Sequence, residues 1–186
     1  EIYIPYGGYK LNRGVTTKDN QKIYGAGKYA TQISYTGADV NVFTINGHNT
    51  TFEGFKLSAS FVIGVVGTTS TTTAFKSQKK THCTFEDLFV TGFNIGFDFG
   101  ESSWVHYLDR VRIQNCNTGI SGNGEFNAIT INKANITYCD TAIFAGGGRN
   151  ITIKSSDIER NNKGVLKTNK GDIVVRDNYF ELNSQG

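Results

Sequence analysis

An all-β parallel solenoid is the fold this sequence predicts, and three observations carry it. The stretches 89–97, 112–120, 135–143 and 157–165 align without gaps, with a small residue at the eighth place (Gly96, Gly119, Ala142, Gly164) at steps of 23, 23 and 22 residues. The second place is always apolar (Val90, Ile113, Ile136, Ile158), and so is the ninth (Phe97, Ile120, Ile143, Val165). The composition suits short strands and tight turns: 22 glycines, one proline, no Met, and many Thr, Asn, Ile and Phe. An apolar position held at a fixed period means one supersecondary unit stacked on itself, and a period near 22 with β-forming residues points to a parallel β-helix. A fifth copy begins at Tyr179-Phe180 and runs to the end of the chain.

Taken in order, Glu1 to Leu11 reads as a strand, a Pro5-Tyr6-Gly7-Gly8 turn and a second strand. Lys22-Ile23-Tyr24 and Thr31-Gln32-Ile33-Ser34-Tyr35 are the next pair. Between them, Gly25-Ala26-Gly27-Lys28 has the look of a phosphate loop but fails its spacing. Lys22 stands where the first glycine belongs, and Tyr29 follows the lysine. It reads as a glycine turn between short strands. Val42-Phe43-Thr44-Ile45 is a further strand. The third and fourth coils open at Asn49 and His82 in matching register: Phe52 with Phe85, Glu53 with Glu86, Leu57 with Val90. That step is 33 residues, about ten more than later ones, and the polar, Thr-rich run with its lysines is expected as a loop insertion at 67–80. Later coils start at Leu108, Ile131, Ile153 and Val175. Three Asn-x-Thr triplets, at Asn49, Asn135 and Asn150, read as turn asparagines leading into strands.

At 186 residues the chain holds one sizeable core, expected as a single domain over 1–186. The missing Met, the strand-like opening and the stop in mid-repeat suggest a piece of a longer polypeptide, whose two open sheet edges need a cap or more chain. The net charge of +3 is too weak and too evenly spread to imply nucleic acid, and Lys79-Lys80 is the longest basic run, a solvated loop. No stretch is long and apolar enough to span a membrane, and no secretory signal is visible. Cys116 and Cys139 hold the same place in consecutive coils, about 4.8 Å apart by strand spacing. A disulfide is geometrically open to them; two stacked buried thiols are the simpler reading. Cys83, His48, His82 and His106 show no zinc-ligand spacing, and neither metal nor cofactor is expected. Asn161 and Asn183 share the place of Cys139 and should form an amide ladder at a bend.

The opening Ile2-Tyr3-Ile4-Pro5-Tyr6-Gly7-Gly8-Tyr9, followed by Lys22-Ile23-Tyr24-Gly25-Ala26-Gly27-Lys28 with Thr31 and Ile33, resembles the start of the pectate-lyase-like right-handed β-helix proteins. Within them it is most similar to bacteriophage tailspikes and related polysaccharide depolymerases. The resemblance implies a right-handed single-stranded parallel β-helix of roughly seven to eight coils, at 22–23 residues per coil. It also implies a homotrimer, a bacterial surface polysaccharide as partner and, commonly, acid/base glycoside cleavage. The opening motif is structural, so no role in chemistry is carried over from it.

Stacking turns sequence columns into spatial ones. Glu53, Glu86, Asp109, Asn132, Lys154 and Arg176 form one outward column. Three carboxylates on neighbouring coils should repel and raise at least one pKa, and two at that separation match a retaining glycosidase pair. The same column would also suit a solvated mixed surface, so these acids are the second choice. The first choice is Asp98, Glu101 and Glu125. Asp98 flanks inward Phe97 and should face out in a column with Ser121 and Phe144, and the two glutamates fall in loops of adjacent coils. Trp104, His106, Arg112 and Phe144 are the expected substrate-binding residues nearby, because glycan sites combine aromatic platforms with proton-transferring carboxylates. Packing of Trp104 in a turn or at a trimer contact is the structural alternative.

Three functional classes follow. The favoured one is a tailspike-type protein of a virion tail that binds and hydrolyses capsule or O-antigen. A non-catalytic, receptor-binding β-helix of a virion or a secreted surface is the second. The third is a polysaccharide lyase, for which Arg110 or Lys133 beside the acidic column would serve as base.

Overall fold

The structure, a computed structural model, describes residues 1–59, 65–77, 79–100, 102–124, 126–168 and 171–184. It contains no helix among these residues. Three parallel sheets run side by side along a solenoid of seven turns and part of an eighth. Sheet 1 stacks Ile2–Ile4, Lys22–Gly25, Thr51–Glu53, Thr84–Glu86, Ser103–Asp109, Phe126–Asn132, Arg149–Lys154 and Ile173–Arg176. Sheet 2 stacks Gly7–Leu11, Thr31–Tyr35, Lys56–Ser58, Phe89–Thr91, Arg112–Gln114, Asn135–Thr137, Asp157–Glu159 and Tyr179–Glu181. Sheet 3 runs from Val15–Thr16 through Asn41–Ile45, Thr73–Ser77, Ile95–Phe99, Thr118–Gly122 and Thr141–Ala145 to Lys163–Lys167.

The register is the one the period predicts. Val90 pairs with Ile113, Ile113 with Ile136 and Ile136 with Ile158. Phe97 pairs with Ile120, Ile120 with Ile143 and Ile143 with Val165. These columns point inward and, apart from the partly buried Val165, are buried, so the core is a stack of like on like. Phe43, Phe75 and Phe97 lie face to face on sheet 3, with centroids 5.2 and 5.0 Å apart. Phe52 and Phe85 stack from sheet 1 at 5.6 Å, and each meets Phe75 edge-on. Both arrangements suit the aromatic quadrupole, and such pairs add about 0.5–1.5 kcal/mol beyond burial. The small eighth place also has a cause: a Cβ at Gly96 or Gly119 would sit 2.6 Å from the carbonyl oxygen of the next coil.

The corners are as regular as the strands. Between sheets 1 and 2, Asp87, Arg110, Lys133, Ser155 and Asp177 all have left-handed backbones (φ 48 to 54°). Between sheets 2 and 3, Asn115, Tyr138, Arg160 and Leu182 do the same (φ 52 to 57°). That conformation is costly for a non-glycine residue. Here it turns the N–H along the solenoid axis. Arg110 N–H donates to Asn132 O, Lys133 N–H to Lys154 O, and Arg160 N–H to Glu181 O, at 3.0 to 3.1 Å. The backbone ladder therefore continues around the corners rather than stopping at strand ends.

Two expectations need correction. Part of the stretch 67–80 expected as a loop is a strand, since Thr73–Ser77 pairs with Asn41–Ile45 and Ile95–Phe99. Leu57 pairs with Val90 and Thr73 with Ile95, so 16 residues span what five span one coil later. The surplus precedes the strand, in which Thr73, Ala74 and Phe75 are all buried. The first turn is Pro5-Tyr6 alone, as Gly7 and Gly8 belong to a strand. All three cysteines are buried thiols, so the disulfide alternative is not realised.

The expected amide ladder is present. Buried Asn161 accepts from Cys139 N–H at 2.8 Å, and its Nδ2 shares two protons among Ile136 O, Glu159 O and Asn183 Oδ1, each at 3.0 Å. Replacing Asn161 by Ala strands an N–H and two carbonyls in the interior. Urea unfolding should show a loss of about 3 kcal/mol, the cost of leaving buried polar groups unpaired; a loss below about 1 kcal/mol would mean the ladder does not hold this corner.

Candidate functional site

The acidic column exists as a register but not as a set of bare carboxylates. Glu53 pairs with Glu86, Glu86 with Asp109, Asp109 with Asn132 and Asn132 with Lys154. Each acid has its own cation or amide. Lys22 meets Glu53 at 2.7 Å, Arg110 meets Glu86 at 2.5 Å and also Asp109, and Asn132 Nδ2 donates to Asp109 Oδ1 at 2.6 Å. Asp109 is buried rather than outward in water. Half-exposed ion pairs of this kind contribute little to stability, but they fix side-chain positions.

The first-choice cluster divides. Glu101 and Glu125 lie outside the described residues. Asp98 does stand in register with Ser121, and Ser121 with Phe144, but it is buried and closes an ion pair with Lys76 of the coil below. It was expected to face solvent; the lysine on the same column draws it in. Trp104 is exposed on sheet 1, beside Asn127 of the next coil. His106 is not a surface binding group. It is 1% exposed and stacks on Phe99 at 4.7 Å, and its Nδ1 accepts Cys83 N–H at 3.3 Å. Phe97 and Phe99 face the same interior, so a side chain two residues before Leu108 on the inward face must be buried too. Burial lowers the His106 pKa to about 4, with His82 adding to the effect. Among the described residues no group of three or more His, Cys, Asp or Glu is placed to hold a metal ion.

Arg112 is elsewhere, and it lines a concave feature of the surface. This is a groove of about 540 Å³ along the outer face of sheet 2. Outward positions of the strands make its floor: Arg112 and Gln114, Asn135 and Thr137, then Glu159 on successive coils. The left-handed corners make its rims, with Arg110 and Lys133 on one side and Tyr138 and Arg160 on the other. Arg112 lies over the ring of Phe89 at 4.8 Å, as Lys56 does at 5.0 Å.

The end wall is the turn 26–30. Every other corner between sheets 1 and 2 has two residues between its strands; this one has five. Its base is tied down, since Gly27 N–H donates to Gly54 O at 2.7 Å and Ala26 N–H to Thr31 Oγ1 at 2.9 Å. Its tip then reaches across two coils. Lys28 Nζ bonds Asp87 at 2.8 Å and Arg110 O at 3.1 Å, and Tyr29 meets Phe89 edge-on at 6.4 Å. In the sequence this stretch reads as a glycine turn between short strands, with no motif to mark it as a wall. The usable signal was its length against the two-residue corners that follow.

Two floor atoms lack partners. Thr137 is 4% exposed with its Oγ1 unbonded, and Arg112 Nε is buried and unbonded. Buried polar atoms are nearly always satisfied, so such atoms on a groove floor suit a ligand.

No family model and no curated protein sequence matches the chain. Solved structures match by shape. The pre-mature gene product 12 of bacteriophage phi29 superposes with a TM-score of 0.69 at 14% identity, over 96% of this chain and 29% of that one. DFA-IIIase from Arthrobacter chlorophenolicus A6 gives 0.63 at 14%, over 96% and 57%. The catalytic unit of a thermostable GH87 alpha-1,3-glucanase from Streptomyces thermodiastaticus strain HF3-3 gives 0.60 at 14%, over 96% and 40%. The chain thus shares the β-helix fold of a phage protein and of glycoside hydrolases, and spans less than two thirds of each.

Two predictions follow from this geometry. Lys28→Ala should free the tip of the 26–30 turn: amide exchange there should rise at least about tenfold while global stability changes by under about 1 kcal/mol, as a partly screened ion pair implies. Unchanged exchange would show that Lys28 does not hold the wall. For His106, the folded pKa lies below its unfolded value of 6.5. The neutral ring therefore contributes stability that is present above about pH 6.5 and lost as pH falls towards 4. The loss should reach about 3 kcal/mol and vanish in His106→Phe. A wild-type pH profile identical to that of the variant would contradict the buried neutral ring.

Proposed function

We propose that this chain is the β-helical body of a phage tailspike-type protein that binds a bacterial surface polysaccharide and hydrolyses it. The observation that carries the reading is the groove on sheet 2. It is open, runs along several coils, has Tyr29 on its end wall and Tyr138 on a rim, and has a floor of amide, hydroxyl and guanidinium groups. Extended glycans are bound by such combinations, since ring faces stack on aromatics and hydroxyls pair with fixed polar groups. The β-helix fold shared with a phage protein and with glycoside hydrolases agrees with it, as do the virion tail and the homotrimer that the sequence resemblance implies.

Cleavage belongs on this reading to the corner between sheets 3 and 1, where Asp98 and Trp104 stand and where Glu101 and Glu125 fall in the sequence. A general acid and base there would each be worth about two to four orders of magnitude in rate. A second reading, a receptor-binding β-helix without catalysis, is favoured by one feature: Asp98 is buried against Lys76, and the acids of sheet 1 are all paired.

One assay separates these. Capsule or O-antigen incubated with the protein should yield new reducing ends without an ultraviolet-absorbing unsaturated product. Glu101→Gln, Glu125→Gln or Asp98→Asn should cut the rate by roughly a hundredfold or more. An absorbing product would mean elimination. Tight binding with unchanged chain length would establish the non-catalytic reading, and wild-type rates in the variants would remove those carboxylates.

A further inference from the structure

The groove carries more charge than a neutral glycan requires. Five cationic residues line it, Lys28, Arg110, Arg112, Lys133 and Arg160, against one carboxylate, Glu159. Three of the five are engaged by acids. Lys28 is paired with Asp87, Arg110 with Glu86 and Asp109, and Arg160 with Glu159 at 3.7 Å. Arg112 and Lys133 have no acidic partner within ion-pair distance among the described residues. They sit on adjacent coils, one on the floor and one on the rim. Arg112 is held by a ring rather than an acid: its guanidinium lies over Phe89, which fixes the group while leaving its donors free. Beside it, Thr137 Oγ1 is buried without a partner.

Resting on the polysaccharide reading above, we infer that the groove selects an acidic polysaccharide, with Arg112 and Lys133 receiving a sugar carboxylate. Tyr29 and Tyr138 supply the ring faces on either side, and Thr137 Oγ1 receives a sugar hydroxyl. A guanidinium pairs a carboxylate through two parallel donors, which a neutral hydroxyl cannot match. The unpaired cations account for selection, and the paired ones for the shape of the site. Lys28 and Arg110 are tied to their own acids and hold the wall and rim in place. The site needs no movement of the backbone, since its floor is strand and its rims are corners locked into the ladder.

The test is equilibrium binding of the intact protein to four carboxylated polysaccharides (polygalacturonate, alginate, hyaluronate and polysialate) and to neutral dextran, with binding to native capsule or O-antigen measured alongside. At least one carboxylated polymer should bind at least tenfold more tightly than dextran, and the preference should shrink as salt rises. Arg112→Gln and Lys133→Gln should each weaken that binding by roughly ten- to a hundredfold, as loss of a charge-assisted bond predicts. Arg112→Lys should lose less than Arg112→Gln. Lys133 is exposed, so its variant keeps the fold and serves if Arg112→Gln does not. Equal binding of acidic and neutral polymers would overturn the inference and leave the polysaccharide reading standing. Binding to no glycan, native or model, would overturn both. A change of oligomeric state in the variants, with glycan binding intact, would reassign the patch to contact between copies of this chain.

Discussion

Everything in this molecule depends on the backbone ladder running parallel to the solenoid axis without interruption. Strands supply most of it, but the corners decide whether it is continuous. A run of non-glycine residues, Asp87, Arg110, Lys133 and Ser155, accepts a left-handed backbone at one corner so that its N–H groups meet the next coil. Each such residue carries a strain that would be idle elsewhere. Here it is offset by a backbone hydrogen bond to the next coil. The core follows from the same ladder. With each coil fixed one strand spacing above the last, like must stack on like, and the phenylalanines of sheets 1 and 3 interlock face-on within a column and edge-on between columns.

The groove is a by-product of that geometry put to use. Sheet 2 is only three residues wide in its middle coils, so its outward side chains are few and its corners lie close on either side. The left-handed corner residues become rims, and the strand residues become floor. What turns a generic face into a site is one irregularity, the five-residue turn at 26–30, which leans over later coils and closes one end. The ion pairs of the surface divide accordingly. Those of Lys28 and Arg110 shape the groove, and the cations left over, Arg112 and Lys133, define what it attracts.

Much of this was legible in the sequence. The period gave the register of every coil from Phe52 onward, since stacking identical units leaves no freedom in which residue meets which. It gave the outward acidic column and the Asn161–Asn183 ladder for the same reason. Burial of outward groups was not legible. Asp98 is drawn in by Lys76, and no rule of alternation reveals which outward residues pair across coils. His106 was misplaced because the seven-residue strand Ser103–Asp109 extends sheet 1 beyond the repeat, and its inward positions continue with it. The groove was missed because it is made of ordinary outward residues. Of its residues only Arg110, Arg112 and Lys133 stand out in the sequence, for other roles, and the turn that completes the site reads there as an ordinary glycine turn.

The central claim is that glycan lies along sheet 2 over Arg112 and Lys133. The most direct measurement is a crystal structure of the protein with an acidic oligosaccharide drawn from its best-binding polymer. The account predicts sugar rings between Tyr29 and Tyr138, with a carboxylate against Arg112. Sugar bound instead at the corner of Asp98 and Trp104, with the sheet 2 groove empty, would contradict it.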